Sequence, residues 1–201
     1  GALVDAHTVQ VGDQQYSAKY ILIATGGWPV IPDVEGKELA ISSNEIFDLP
    51  EFPKRLVVVG GGYIASEFAS IFNGLGSQVT QLYRSEQILR GFDQDIRNFL
   101  AQEMSKAGVD IRTNSDVAKL AKTASGIEVT LKDGSTLEVD QVLYATGRAP
   151  NVKGLGLEAL NIAQQKNGAI VVDEDYRTNV ESVYALGDVT DRVQLTPVAL
   201  G

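Results

Sequence analysis

A chain of 201 residues with 44% apolar content can bury a sizeable core, and at about 100–200 residues per domain its length leaves one or two domains open. Twenty-six acidic residues against 17 basic give a net charge of −9 with no local basic stripe, so nucleic acid is excluded as the expected partner and small molecules or proteins remain. There is no cysteine and only one histidine, His7, which excludes disulfide stapling, thiolate catalysis and Cys- or His-rich metal sites within these residues.

The chain opens at Gly1 directly into an expected strand, Ala2–Asp5, and closes at Gly201 directly after an apolar segment, so both ends read as cut. Thr8–Val11 alternates polar and apolar residues into a Gly12-Asp13 turn, and an apolar strand follows over residues 20–24. Residues 55–60 form a buried-strand run around Leu56-Val57-Val58-Val59. The spacing of Ile64, Phe68, Ile71, Phe72 and Leu75 predicts a helix over 63–75 with Gly76 at its end. A strand at 78–83 leads to a second helix at 95–107, with Ile96, Phe99, Leu100 and Met104 on one face and Gly108 as its stop. Strands follow at 109–112, at Ile127–Leu131 before an Asp133-Gly134 hairpin, and at 141–145. Short strands are expected at 170–172 and 183–186, the second ending in Gly187-Asp188. The apolar runs at 20–24 and 56–59 fall far short of the ~20 residues a membrane helix needs, and no basic-then-apolar leader is present, so the expectation is a soluble, cytoplasmic protein with no membrane partner.

Two segments share one plan: a hairpin, an apolar strand, then Ala-Thr-Gly-x-x-Pro, first as Ala24-Thr25-Gly26-Gly27-Trp28-Pro29 and again as Ala145-Thr146-Gly147-Arg148-Ala149-Pro150. The repeat points to two related nucleotide-binding domains, and the alternation of strands and helices between the copies to a parallel sheet.

Gly60-Gly61-Gly62-Tyr63-Ile64-Ala65 stands between a buried strand and an amphipathic helix, the context a dinucleotide fingerprint requires. Gly60 permits the tight turn, Gly62 lets backbone approach a pyrophosphate, and Ala65 suits close helix–strand packing, with the pyrophosphate resting on amides at the positive end of the helix. The next strand ends Leu82-Tyr83-Arg84, where an NAD site would carry Asp or Glu; with Arg84 and Arg90 in its place, two guanidiniums are offered to a 2′-phosphate. The alternative is that both are solvated loop residues, one of them paired with Glu86.

These residues, with Ser66-Glu67, Leu89-Arg90-Gly91-Phe92-Asp93, Ala145 through Asn151, Tyr184 through Val189 and Leu195 through Ala199, resemble the glutathione reductase family of the pyridine nucleotide-disulfide oxidoreductases, class I. The resemblance covers essentially the whole chain as an internal fragment. It implies a Rossmann-like FAD/NAD(P)-binding α/β domain with a parallel sheet plus an antiparallel β-meander. Residues 1–23 would be part of an FAD-binding domain, 24–150 the NADPH-binding domain, and 151–201 part of a central and FAD-binding segment.

The resemblance also implies roles. Tyr63, which periodicity alone reads as packing, would be a lid displaced when nicotinamide enters; Glu67 would lie near flavin and nicotinamide, paired with a lysine upstream. Arg84 and Arg90 would clamp the 2′-phosphate, with Ser85 departing from the His or Lys common there, and Gly147 would contact NADPH through its backbone. Ala24, Thr25 and Gly26 would approach FAD, Asp188 would accept hydrogen bonds from its ribityl chain, and the Thr196 amide would face the flavin ring. No catalytic residue falls among these positions. The family's redox cysteine pair and FAD fingerprint would lie upstream, its His-Glu pair and dimer-forming domain downstream, and the parent would be a homodimer passing electrons from NADPH through FAD to glutathione disulfide. Sister reductases (dihydrolipoamide dehydrogenase, mercuric and trypanothione) and a stand-alone NADP(H)-binding module without redox activity are the other readings.

Overall fold

The computed structural model describes residues 1–195 together with Pro197 and Ala199. The chain divides into two compact units, one made of Gly1–Trp28 with Arg148–Gly201, the other of Pro29–Gly147.

In the first unit, β1 (Ala2–Asp5), β2 (Thr8–Val11) and β3 (Gln14–Ser17) form an antiparallel meander. Next come β4 (Ile21–Ile23) and β5 (Gly27–Pro29), the latter where the chain leaves the unit.

The second unit carries β6 (Arg55–Val59), α1 (Tyr63–Gly74), β7 (Gln78–Leu82), α2 (Gln94–Lys106) and β8 (Asp110–Arg112). A second meander, β9 (Val117–Lys122), β10 (Ile127–Leu131) and β11 (Thr136–Val139), precedes β12 (Gln141–Tyr144). The parallel sheet has the order β12-β6-β7-β8, with Leu143 opposite Val58 and Val58 opposite Gln81. Its central strands are covered on both faces, which is why β6 is a run of consecutive apolar residues. Leu56, Val58, Val79 and Leu143 pack against Ala65, Phe68, Ala69 and Phe72 of α1 and Met104 of α2. Val57, Val59, Val142 and Tyr144 turn the other way, onto Leu120, Val129 and Leu131 of the meander. Each fully buried Leu or Val here contributes about 1.5–3 kcal/mol relative to exposure.

Asp140, just before β12, fastens the sheet at its lower end. One carboxylate oxygen accepts from the Lys54 and Arg55 amides at 2.9 and 2.8 Å, and the other from the Arg55 guanidinium at 2.6 and 3.0 Å. Burial pushes this carboxyl up, but the bonds and charge of Arg55 and the two amides outweigh it and hold the group below its ordinary value.

The chain returns through β13 (Arg148–Pro150), paired with β5, and β14 (Val183–Ala185) runs parallel to β4 with Val183 opposite Ile21 and Ala185 opposite Ile23. Leu3, Ile21, Ile23, Leu157, Ile170, Val183 and Val189 form the core of this unit.

The α/β class with a parallel sheet plus antiparallel meander is as the sequence led us to expect, and three local expectations need correction. Residues 170–172 are not a strand: Ile170 donates to Val189 O and Val171 to Ala163 O, so neighbouring residues find different partners and only one bridge, Ile170 to Gln164, forms. On α1 the inward stripe is Ala65, Phe68, Ala69 and Phe72, leaving Ile71 and Leu75 exposed. On α2 it runs through Arg97, Leu100, Ala101 and Met104, while Ile96 and Phe99 face solvent.

Candidate functional site

The C-terminal end of β6 turns sharply into α1 through three glycines, each in a different situation. Gly60 has φ +146°, and a Cβ there would overlap the carbonyl oxygen of Ala145 and meet Ala65 at 3.1 Å, so the turn, the end of β12 and the helix close on one another with no room for a side chain. Gly61 lies flat on the ring of Tyr83, where a Cβ would also overlap. A Cβ on Gly62 would meet nothing within 4 Å. The floor of the turn is full and its front is open.

Gly62 is also the N-cap of α1, contributes no side-chain cap, and is followed by no acidic residue in the first turn. The first amides of an α-helix have no partner inside the helix and carry the positive end of its dipole. Helix α2 differs: Asp93 caps it, accepting from Asp95 N at 2.9 Å, and Asp95 adds a further negative charge.

Beneath the turn, the fully buried Gln81 donates from Nε2 to Gly60 O at 3.0 Å and to Ser66 Oγ at 3.3 Å, while its Oε1 has no partner among the described residues. This brace was missed from the sequence, where a glutamine in a strand reads as a surface residue.

The loop after β7 carries both arginines and is fastened from several sides. Tyr83 exchanges backbone bonds with Arg112 O and Ser115 N, Asn114 donates to Ser85 O at 3.0 Å, and Leu89 donates to Gly61 O at 2.6 Å. The last bond ties the residue before Arg90 to the glycine turn itself. Arg84 and Arg90 are exposed, and neither forms an ion pair or hydrogen bond among the described residues, Glu86 included. Gly147, at φ +135° with open space where a Cβ would project, lies two residues after Ala145, whose amide donates to Val59 O at 2.8 Å. The fold therefore gathers Gly60, Gly62, Gly147 and the arginine loop at one end of the sheet. Tyr63 and Glu67 are exposed on α1, whereas Ile64 is half-buried against the helix-side core, leaving its amide as the part that can face a ligand. The phenol of Tyr144, next to Ala145, is pushed up to about 12 by burial and by nearby Asp116.

In the other unit, Ala24, Gly26, Leu186, Gly187, Asp188, Leu195 and Ala199 line a cleft of about 220 Å³. The Thr25 hydroxyl donates to Asn151 O at 2.7 Å and Asn151 N to Gly26 O at 2.9 Å, which fixes the backbone of the Ala-Thr-Gly turn. Asp188 is half-buried, with Oδ2 3.8 Å from Nε of Arg148, whose Nη2 donates to Gly27 O at 2.6 Å. Thr196 lies outside the described residues.

A parallel sheet in which a buried strand passes through a glycine turn into a helix without a side-chain cap defines a Rossmann-like α/β protein. The model of the pyridine nucleotide-disulphide oxidoreductase family matches residues 1–201, and the chain belongs to that family. It is 50% identical over 192 residues to a glutathione reductase of Burkholderia cepacia, covering 96% of this chain and 43% of the relative. It is 45% identical over 213 residues to a trypanothione reductase of Leishmania donovani, covering 100% and 43%. Among solved structures it resembles the HOCl-induced flavoprotein disulfide reductase RclA from Escherichia coli, with TM-score 0.94 and 33% identity over 99% of this chain and 46% of that one. The chain thus spans less than half the length of these relatives.

Proposed function

We propose that Pro29–Gly147 binds NADPH, and that the chain is the nicotinamide-nucleotide-binding portion of a flavoprotein disulfide reductase acting on glutathione disulfide. The observation that carries the reading is the pairing of an open glycine turn with a fastened loop bearing two exposed arginines, neither paired among the described residues, and no carboxylate at Tyr83. Pyrophosphate would rest on the amides of Gly62, Tyr63 and Ile64, where the helix dipole favours negative charge. Arg84 and Arg90 would take the 2′-phosphate by charge-assisted hydrogen bonds. Gly147 would approach NADPH through its backbone, Tyr63 would cover the nicotinamide pocket, and Glu67 would lie beside it.

The cleft lined by Ala24, Gly26 and Asp188 supports a part of an FAD site in the other unit, with Asp188 accepting hydroxyl hydrogen bonds and Thr25 and Thr196 completing the set. When bound, NADPH would supply a hydride and FAD would accept it. Disulfide reduction proceeds by thiolate attack, and these 201 residues hold no cysteine, so that step would fall to other residues of a longer, homodimeric parent. The likeness to a trypanothione reductase supports a second reading, a sister disulfide reductase acting on trypanothione.

Titration of the full chain with each nucleotide tests the proposal. NADPH should bind more tightly than NADH, and Arg84→Gln with Arg90→Gln should remove most of the difference, roughly 10- to 100-fold per arginine if each contributes a charged hydrogen bond of about 1.5–3 kcal/mol. Equal affinity for the two nucleotides in the unmodified chain would overturn it.

A further inference from the structure

Arg97 stands one turn into α2 and reaches back over the start of its own helix. Its Nε donates to Ile88 O at 2.8 Å, its Nη2 to Gln87 O at 2.8 Å, and its Nη1 to Gln94 Oε1 at 3.1 Å. The planar fork of a guanidinium can span two successive carbonyls, which a lysine ammonium cannot do with the same rigidity. No carboxylate forms an ion pair with Arg97 among the described residues, so its guanidinium is held by neutral acceptors alone.

The held residues lie immediately before Arg90. Ile88 and Leu89 are buried, Leu89 adopts φ +55°, a region disfavoured for a residue with a branched side chain, and its amide is committed to Gly61 O. Such a conformation persists only where its surroundings hold it, and Arg97 supplies bonds to both carbonyls on its N-terminal side. The Arg90 side chain has no hydrogen bond or ion pair among the described residues.

We propose that Arg97 is a positioning residue that sets the discrimination between NADPH and NADH by fixing the loop from which Arg90 projects. This rests on the reading of Arg84 and Arg90 as the 2′-phosphate clamp. Arg97 touches no nucleotide; it acts through the backbone of Gln87 and Ile88.

The test uses the full chain and two probes that differ only by the 2′-phosphate, 2′,5′-ADP and 5′-AMP, titrated calorimetrically against the unmodified protein, Arg97→Ala, Arg97→Lys and Arg90→Gln. The unmodified protein should prefer 2′,5′-ADP. Arg97→Ala should lose roughly tenfold of that preference, as expected for a displaced rather than deleted contact, with 5′-AMP affinity within about twofold of the original. Arg97→Lys keeps the charge without the fork and should lose most of the same preference, and it decides the matter if the alanine variant does not fold. An unchanged preference in the Arg97 variants, or an equal loss for both probes, overturns the inference while a loss in Arg90→Gln leaves the clamp standing. No preference in the unmodified protein overturns the clamp and this inference with it.

Discussion

In Pro29–Gly147, strand β12 ends in Ala145-Thr146-Gly147 beside a parallel neighbour, β6, that runs into the glycine turn; in the flanking unit, β4 ends in Ala24-Thr25-Gly26 beside a parallel neighbour, β14, that runs towards Gly187-Asp188. The strand pairs are alike, but the segment after the neighbouring strand differs. After β6 comes a helix of 12 residues whose first amides are uncapped. After β14 comes a single 3₁₀ turn, Gly187–Thr190, with the carboxylate of Asp188 at its start. Bare amides suit phosphate, whereas a carboxylate repels phosphate and accepts from hydroxyls. One scaffold thus presents two opposite chemistries through the residues placed just beyond a strand.

The sharpest way to break the comparison is to fill the glycine turn. Gly60→Val would drive a side chain into Ala145 O at a backbone angle of +146°, and should cost about 2–5 kcal/mol of stability together with more than about 100-fold in NADPH affinity, read by chemical denaturation and by titration. Gly62→Ala separates the two effects. With nothing within 4 Å of the new methyl, thermal stability should hold while NADPH affinity falls roughly tenfold, because only the ligand meets it; retained affinity would show that the pyrophosphate lies elsewhere. Under the proposed FAD role, Asp188→Asn should weaken FAD binding by roughly tenfold and leave NADPH affinity untouched, since a charged acceptor becomes a neutral one of equal size.

A smaller effect concerns the foundation of Pro29–Gly147. Asp140 is held below its ordinary value, so its stabilisation is fully present above the unfolded value of about 3.9 and is lost as pH falls through the lower folded value. Asp140→Asn should therefore cost roughly 1.5–3 kcal/mol at pH 7, narrowing towards zero once both proteins are below that folded value, as followed by urea unfolding across pH. A gap that stays constant down to pH 2 would point to shape rather than charge.

Much of the fold of Pro29–Gly147 is legible because its signals are local. A run of four apolar residues, a glycine turn and a helix in register leave few alternatives, and the arginine loop comes at a fixed interval. The features that escaped the sequence depend on partners distant along the chain. Arg97 occupies an inward position on α2 because two loop carbonyls await it, so a rule that seeks apolar residues there chose Ile96 and Phe99 instead. Gln81 is buried because Gly60 O and Ser66 Oγ need a donor. Small residues did similar damage on α1, where Ala65 and Ala69 face the sheet and the larger Ile71 and Leu75 do not. In the flanking unit the roles of Ala24, Thr25, Gly26, Asp188 and Thr196 come from the resemblance alone, because these residues are drawn from opposite ends of the sequence.

The two ends of Pro29–Gly147 are bonded to each other, Val30 N to Gly147 O at 3.0 Å and Thr146 Oγ1 to Val30 O at 2.7 Å. A segment of more than a hundred residues therefore begins and finishes at one spot, with its sheet, both helices and both arginines contained between. Joined at Val30 and Gly147, between β5 and β13, the segment could be exchanged as a cassette for that of a relative with a different nucleotide preference; no strand of the receiving protein would have to be cut, and the preference should travel with the segment.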